Sequence, residues 1–179
     1  MTRMVFNTAT TLDGYLADEN DSLEWLFVQD HDDSGPFGFE EYLRGVGAIV
    51  MGATTYEWLL DHLARTGEAW SYEQPTWVFT HRELPLAADS VRLTSAPVKE
   101  VYDEMVAAAE GKELWMVGGG GLAADFATEG LLDEVVVSIA PVTLGAGRPL
   151  FPRPFDLRLV DFARNGAFLC ARYEVVGPR

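Results

Sequence analysis

The apolar and polar positions of the chain fall into short blocks that predict strands separated by helices. Residues 3–10 alternate between polar and apolar side chains, as in a strand with one solvent-facing side. Residues 48–51 form a continuous apolar run, which is typical of a strand buried on both faces. The other predicted strands are residues 76–80, 90–94, 113–117 and 133–140, and the predicted helices are residues 37–44, a helix that begins at Thr54, residues 97–110 and residues 122–128.

Two local signals add detail to this pattern. Thr54 and Glu57 follow the buried run at the spacing of a capping box, in which each side chain binds a free N–H at the helix start. Asn165-Gly166 separates the predicted strands 157–163 and 167–176 and predicts a type I′ hairpin turn.

The order of these elements predicts the fold class. Strands that alternate with helices early in the chain, followed by a late hairpin, indicate an α/β protein with three layers. Its mixed sheet is mostly parallel and carries an antiparallel C-terminal hairpin. Because the sequence contains no repeat and no low-complexity linker, we expect one domain over residues 1–179.

Composition narrows the function classes. The chain carries 28 acidic and 13 basic residues, for a formal net charge of −15, which argues against a nucleic-acid partner. A nucleotide stays compatible with this charge, because backbone N–H groups can bind its phosphates. Cys170 is the only cysteine, so an internal disulfide is excluded. No apolar run reaches the roughly 20 residues of a membrane span and no signal-peptide pattern opens the chain, so we expect a soluble cytoplasmic protein.

The strongest chemical signal is a glycine loop between a predicted strand and a predicted helix. Residues 118–121 are all glycine, directly after strand 113–117. Glycines allow a pyrophosphate to approach the backbone, although a tight turn without a ligand explains the same pattern. Gly118, Gly120 and Ala123 formally fit the Rossmann fingerprint, but the motif follows several elements and lacks the acidic residue that should end the next strand.

Two further motifs follow strands. The first is Met51-Gly52 with Thr54 and Thr55, which would place a second helix N-terminus at a phosphate. The alternative is that these residues only begin a helix and bind no ligand. Residues 141–151 form a Gly/Pro-rich loop in which Arg148 could meet an anionic group or simply face solvent.

Four segments taken together, residues 11–17, 51–57, 117–120 and 141–151, resemble the stand-alone relatives of the riboflavin-biosynthesis reductase domain, within the dihydrofolate-reductase-like superfamily. The resemblance implies that NADPH lies across the carboxyl edge of the sheet. It also implies a homodimer. The cofactor contacts that it implies are Ala9, Leu16, Gly52, Thr54, Thr55, Thr80, His81, Arg82, Val117, Gly118, Gly119, Gly120, Gly121 and Leu122. Ala53 stands where the family often has Arg or Lys, so Arg82 is the expected cation for the 2′-phosphate.

The same resemblance implies a hydride transfer to a pyrimidine- or pteridine-type substrate. Asp30 and Asp13 are the candidate catalytic acids, and Trp25 and Arg148 are the candidate substrate contacts. Water is the alternative proton donor, and the carboxylates that compete with Asp30 are Asp32, Asp33, Glu40 and Glu41. The acidic cluster at residues 30–33 favours a solvated loop over a metal site, because its ligands are adjacent and lack helical spacing. Dihydrofolate reduction and a non-catalytic nucleotide- or flavin-binding role are the alternatives.

Overall fold

The computed structural model describes all 179 residues and contains ten strands and five helices. The strands are β1 Met4–Thr11, β2 Tyr15–Ala17, β3 Val46–Gly52, β4 Thr76–Phe79, β5 Val91–Thr94, β6 Glu113–Gly118, β7 Glu134–Ala140, β8 Arg148–Pro149, β9 Phe155–Asn165 and β10 Phe168–Pro178. The helices are α1 Glu24–Phe27, α2 Phe39–Arg44, α3 Ala53–Thr66, α4 Val98–Ala108 and α5 Gly120–Thr128.

Eight strands form one twisted sheet in the order β5-β4-β3-β6-β1-β7-β10-β9. The first six strands in this order are parallel, whereas β10 runs antiparallel to both β7 and β9. Strands β2 and β8 pair separately as a small antiparallel ladder. The predicted mostly parallel mixed sheet with an antiparallel C-terminal hairpin is therefore confirmed.

Helices cover both faces of the sheet. On one face α4 and α5 bury Met105 and Phe126 against Phe6 and Met116. On the other face α3 packs Tyr56 over β3 and β4, and α2 adds partly buried side chains. Each large apolar side chain that is fully removed from water contributes about 1.5–3 kcal/mol, so these two interfaces stabilise the layered arrangement.

The predicted capping box does not form. Helix α3 begins at Ala53, and its N-cap is Gly52, two residues before the predicted cap Thr54, with no side-chain cap. Glu57 instead accepts two hydrogen bonds, each 2.8 Å long, from the guanidinium of Arg82. A planar guanidinium satisfies both carboxylate oxygens at once, which competes well with a single backbone N–H.

The C-terminal hairpin is present, but its turn lies one residue later than predicted. Asn165 pairs with Phe168 in the ladder, so Gly166 and Ala167 form the loop. Only Gly166 has positive φ, whereas type I′ requires it at both central residues, so the type I′ prediction is wrong. The Asn165 side chain instead binds the backbone of Asp32 and Pro36.

No helix of the structure has both the length and the apolar character needed to cross a membrane.

Candidate functional site

A cavity of about 670 Å³ lies at the carboxyl ends of three adjacent central strands. Strands β3, β6 and β1 are neighbours in the sheet. The cavity is lined by Gly52 and Gly118, the last residues of β3 and β6, and by Ala9, which lies near the end of β1. In open α/β sheets the crevice at the carboxyl ends of the strands is where ligands bind.

Two helix N-termini open on this cavity. Gly52 is the N-cap of α3 and Gly119 is the N-cap of α5, and neither helix has a side-chain cap. The two turns are close, because a Cβ on Gly52 would lie 3.7 Å from the Gly119 nitrogen. The first N–H groups of a helix lack intrahelical partners and carry a partial positive charge, so this wall suits an anion.

The fold requires glycine at some of the four consecutive positions 118–121 and not at others. Gly118 has φ +157, where side chains are strained, and its peptide bond to Gly119 is cis. A Cβ on Gly120 would lie 2.3 Å from the carbonyl oxygens of Pro149 and Leu150. Gly119 and Gly121 have ordinary φ and open space where a Cβ would stand. The fold therefore explains glycine at positions 118 and 120 but not at 119 and 121.

The facing wall of the cavity is mostly apolar. Trp58 of α3 stacks against Phe27, with ring centroids 6.1 Å apart and planes inclined by 19°. It also stacks on His62 at 5.1 Å. The other apolar side chains that line the cavity are Ala9, Leu16, Ala17, Leu23, Leu26, Ala53, Leu59, Val117, Leu122, Pro149 and Pro152. Such a wall suits a flat ring.

Asp21 and Arg148 are the only charged residues that line the cavity, and they bind each other. Arg148 Nε lies 2.6 Å from Asp21 Oδ1, and its Nη2 lies 3.0 Å from Oδ2. Hydrogen bonding to Asp21 raises the pKa of Arg148 above its ordinary value. Arg148 was predicted to contact the substrate, and it does line the cavity, but its guanidinium already binds the carboxylate of Asp21.

The structure gathers most of the expected cofactor contacts around the cavity. Lining residues are Ala9, Leu16, Gly52, Thr54, Thr55, Val117, Gly118, Gly119, Gly120, Gly121 and Leu122. Thr80, His81 and Arg82 follow β4 and do not line the cavity. Arg82 is exposed and bound to Glu57 of α3, as described above.

Neither candidate acid lines the cavity. Asp13 accepts hydrogen bonds from the Thr11 hydroxyl at 2.6 Å and from the Gly145 N–H at 2.8 Å, and the hydroxyl in particular lowers the pKa of Asp13. Asp13 thus joins the turn after β1 to the loop after β7. Asp30 is exposed, and its backbone carbonyl accepts a hydrogen bond from Ala167. Both residues therefore make contacts within the fold and lie outside the cavity where we expected them.

The tryptophan beside the cavity is Trp58, whereas Trp25 lies in the core. Trp25 is 8% exposed and packs against Ala140, Phe168 and Cys170. Several residues that line the cavity were not among the predicted contacts, including Asp21, Leu23, Leu26 and Trp58. The sequence did carry one signal for Trp58, because this residue lies early in the helix that follows Gly52. A helix whose N-terminus borders a ligand also keeps its first turns beside that ligand.

A second cavity, of about 590 Å³, lies at the opposite edge of the sheet. It is lined by Asp133, Glu134 and Glu174, by Arg3, which is paired with Glu134, and by the last turn of α5, where the helix dipole is negative. This site disfavours an anion. No group of three or more His, Cys, Asp or Glu side chains is arranged to hold a metal ion.

Comparison with known proteins agrees with this fold. Residues 3–167 match the family described as the RibD C-terminal domain. This chain belongs to that family. The uncharacterized protein YwjB of Bacillus subtilis (strain 168) is 28% identical over 150 residues, which cover 83% of this chain and 82% of that protein.

Solved structures extend the comparison. A candidate riboflavin biosynthesis protein from Shewanella sp. PV-4 is 27% identical, with a TM-score of 0.79 over 98% of this chain and 99% of that one. Dihydrofolate reductase from Enterococcus faecalis, in complex with NADP(H), is 13% identical, with a TM-score of 0.60 over 97% of this chain and 96% of that one. A Thermotoga maritima deaminase/5-amino-6-(5-phosphoribosylamino)uracil reductase is 15% identical, with a TM-score of 0.62 over 97% of this chain and 56% of that one. The last two likenesses show the dihydrofolate-reductase-like fold.

Proposed function

We propose that this member of the RibD C-terminal domain family is an NADPH-dependent reductase of a pyrimidine- or pteridine-type heterocycle. One observation carries the proposal: two helix N-termini without side-chain caps open on the same cavity. Gly119 and Gly121 strengthen it, because the fold itself does not require glycine there. Free N–H groups, open backbone and converging helix dipoles are what a diphosphate needs.

The residues present suit a nicotinamide dinucleotide. The turns at Gly52 and Gly119 would bind its diphosphate through backbone N–H groups, and the apolar wall around Trp58 would hold the flat ring of the substrate beside the dinucleotide. The bound dinucleotide supplies a hydride, and the protein supplies its position. Asp21 is the only carboxylate that lines the cavity, and Arg148 binds it, so we assign proton delivery to solvent water.

The substrate class rests on the relatives. Two of the solved relatives are a phosphoribosylaminouracil reductase and a dihydrofolate reductase, and both of these substrates are flat nitrogen heterocycles. Dihydrofolate reduction is therefore the nearest alternative. A protein that binds a nucleotide or flavin without catalysis is the alternative from another class.

Coenzyme choice depends on the loop after β4. Arg82 is the proposed cation for the 2′-phosphate, since Ala53 supplies none in the first turn of α3. Its carboxylate partner, Glu57, would have to share or release the guanidinium. This competition favours a modest preference for NADPH.

We also propose a homodimer through the C-terminal strands. Edge strand β9 and its partner β10 expose a set of large apolar side chains, each at least 40% accessible: Leu157, Leu159, Val160, Phe162, Leu169 and Val176. Monomers rarely leave so many neighbouring apolar residues on an edge strand, because such an edge invites pairing.

Titration with NADPH and NADH, followed by quenching of tryptophan fluorescence, tests the cofactor assignment. We expect saturable quenching in the wild type and at least about tenfold weaker binding in Gly119→Ala, because a methyl group would stand at the anion wall. Gly45→Ala is the control, since Gly45 is exposed, has negative φ and lies outside the cavity. No binding of either nucleotide by the wild type would overturn the proposal.

Oxidation of NADPH, followed at 340 nm, then separates the alternatives. The proposed reaction predicts turnover with a ribosylaminopyrimidine or another flat heterocycle bearing a C=N bond. Turnover confined to dihydrofolate would favour the nearest alternative, and tight binding without oxidation by any heterocycle would favour the non-catalytic one.

A further inference from the structure

We infer that the substrate side of this cavity accepts an uncharged planar compound and rejects a phosphate monoester. The inference rests on the proposed function and narrows its substrate class to compounds without phosphate, unlike the phosphoribosyl compound in the name of the Thermotoga maritima reductase. Its basis is that Arg148, the one cation that lines the cavity, and Arg153, the next cation along the same loop, are each paired with a carboxylate of the same chain.

Only one of the 13 Lys and Arg residues lines the cavity. That residue, Arg148, presents Nε and Nη2 to the two oxygens of Asp21 in a side-by-side geometry. This geometry is the one in which a guanidinium would bind a phosphate, so Asp21 occupies the position that a substrate phosphate needs.

The next cation along the same loop is also paired. Arg153 directly follows Pro152, a lining residue, and its guanidinium binds the carboxylate of Asp125 and the hydroxyl of Thr128 on α5. The two arginines of residues 148–153 therefore offer no free charge to an anion. The backbone wall at Gly52 and Gly119 is the remaining anion site, and the dinucleotide takes it under the proposed function.

A tight loop holds Asp21 in place. Asp18 accepts hydrogen bonds from the N–H groups of Asn20 and Ser22, at 2.8 and 2.9 Å, and its carbonyl accepts one from Asp21. Asp21 itself has φ +61, a conformation that Asp and Asn adopt more readily than most residues. The carboxylate is thus positioned by its own loop and does not depend on a ligand.

The surroundings of the pair favour an uncharged ring. Asp18 and Glu19 add negative charge near Arg148, which would repel a second anion. On the other side, the Trp58 ring, stacked with Phe27, and the side chains of Leu23 and Leu26 offer flat apolar surface. A planar compound without phosphate matches both features.

Riboflavin and riboflavin 5′-phosphate are a matched probe pair, because they share a flat ring and differ by one phosphate. Both are titrated by fluorescence into protein saturated with NADP⁺, whose binding is measured first in the same sample. We expect the wild type to bind riboflavin at least about tenfold more tightly than its phosphate. Asp21→Asn keeps the loop conformation and frees Arg148, so we expect it to shift this ratio by about tenfold towards the phosphate.

Glu24→Gln is the control, because it removes a nearby exposed negative charge without freeing Arg148. An unchanged ratio in Glu24→Gln with a shifted ratio in Asp21→Asn supports the inference. Equal or tighter binding of the phosphate by the wild type overturns it, as does binding of neither flavin by NADP⁺-loaded protein. Failure to bind NADP⁺ is a separate result and overturns the proposed function itself.

Discussion

Gly120 and Gly121, two adjacent residues at the start of α5, differ in whether the fold requires glycine at their positions. A methyl group on Gly120 would collide with the carbonyls of Pro149 and Leu150, at 2.3 Å, whereas Gly121 has no neighbour within 4 Å of the same position. The first glycine is needed for packing of the helix against the loop before β9. The second lines the cavity, where open backbone lets a ligand approach.

Alanine at these two positions should therefore give opposite results. We expect Gly120→Ala to lower the free energy of unfolding by about 1–3 kcal/mol, the usual cost of overpacking. Gly121→Ala should raise it by about 0.5 kcal/mol, because alanine is the better helix former, yet it should weaken NADPH binding. Urea unfolding and fluorescence titration measure the two effects. A Gly121→Ala variant that binds NADPH like the wild type would contradict this account.

At the residue scale, the sequence predicted the glycines that line the cavity better than it predicted the positions of the acidic and aromatic side chains. The glycine turns follow from local sequence, so all the glycines expected at the ligand line the cavity. Asp13, Asp30 and Trp25 do not, because their contacts are with distant parts of the chain: Gly145, Ala167 and Phe168. A single sequence carries no direct signal of such pairings.

At the element scale, Asp13 joins two loops that border the site. Its pKa is lowered in the folded state by the Thr11 hydroxyl and by the N–H groups of Gly145 and Leu144. A lowered pKa means that the folded state favours the charged form, so the resulting stability is fully present above the ordinary value of 3.8. It is lost as the pH falls through the lower folded value.

Replacement of this carboxylate should therefore have a pH-dependent effect. We expect Asp13→Asn to unfold at lower urea concentration than the wild type at pH 7, and the two midpoints should converge below about pH 3.8. Urea unfolding measured from pH 7 to pH 3 checks this. A constant difference across that range would show that the charge of Asp13 does not contribute.

The contact between α3 and the loop after β4 sets the expected coenzyme preference. Because Glu57 neutralises Arg82, we expect Glu57→Gln to raise the preference for NADPH over NADH by about tenfold, and Arg82→Ala to abolish that preference. Parallel titrations with the two nucleotides measure it. The same preference in the wild type, Glu57→Gln and Arg82→Ala would contradict the assignment of Arg82 to the 2′-phosphate.

Most elements could be predicted from the sequence, but several local features could not. The long strands and helices have periodic apolar patterns, and each was found to within a few residues. Helix α1 has only four residues, little more than one helical turn, and strands β2 and β8 have three and two residues, so none of them shows a periodic pattern. The capping box and the type I′ turn failed because Glu57 and Asn165 bind partners remote in sequence.

At the scale of the whole molecule, the exposed face of β9 and β10 predicts self-association. We expect the wild type to have about twice the mass of the 19.8 kDa chain, and Phe162→Glu to have the mass of one chain, because a charge in a buried apolar interface is costly. Leu86→Glu is the control, since Leu86 is 59% exposed elsewhere on the surface. Light scattering after size exclusion measures both masses. A monomeric wild type would contradict the homodimer.

The central claim is that one dinucleotide binds the N-termini of α3 and α5 together. A ¹⁵N–¹H correlation spectrum recorded during NADPH titration tests it most directly, because it reports each backbone N–H separately. We predict that the largest shifts occur at Ala53, Thr54 and Thr55 and at Gly120, Gly121 and Leu122, in step with one another. Shifts confined to one helix, or located elsewhere, would contradict the claim.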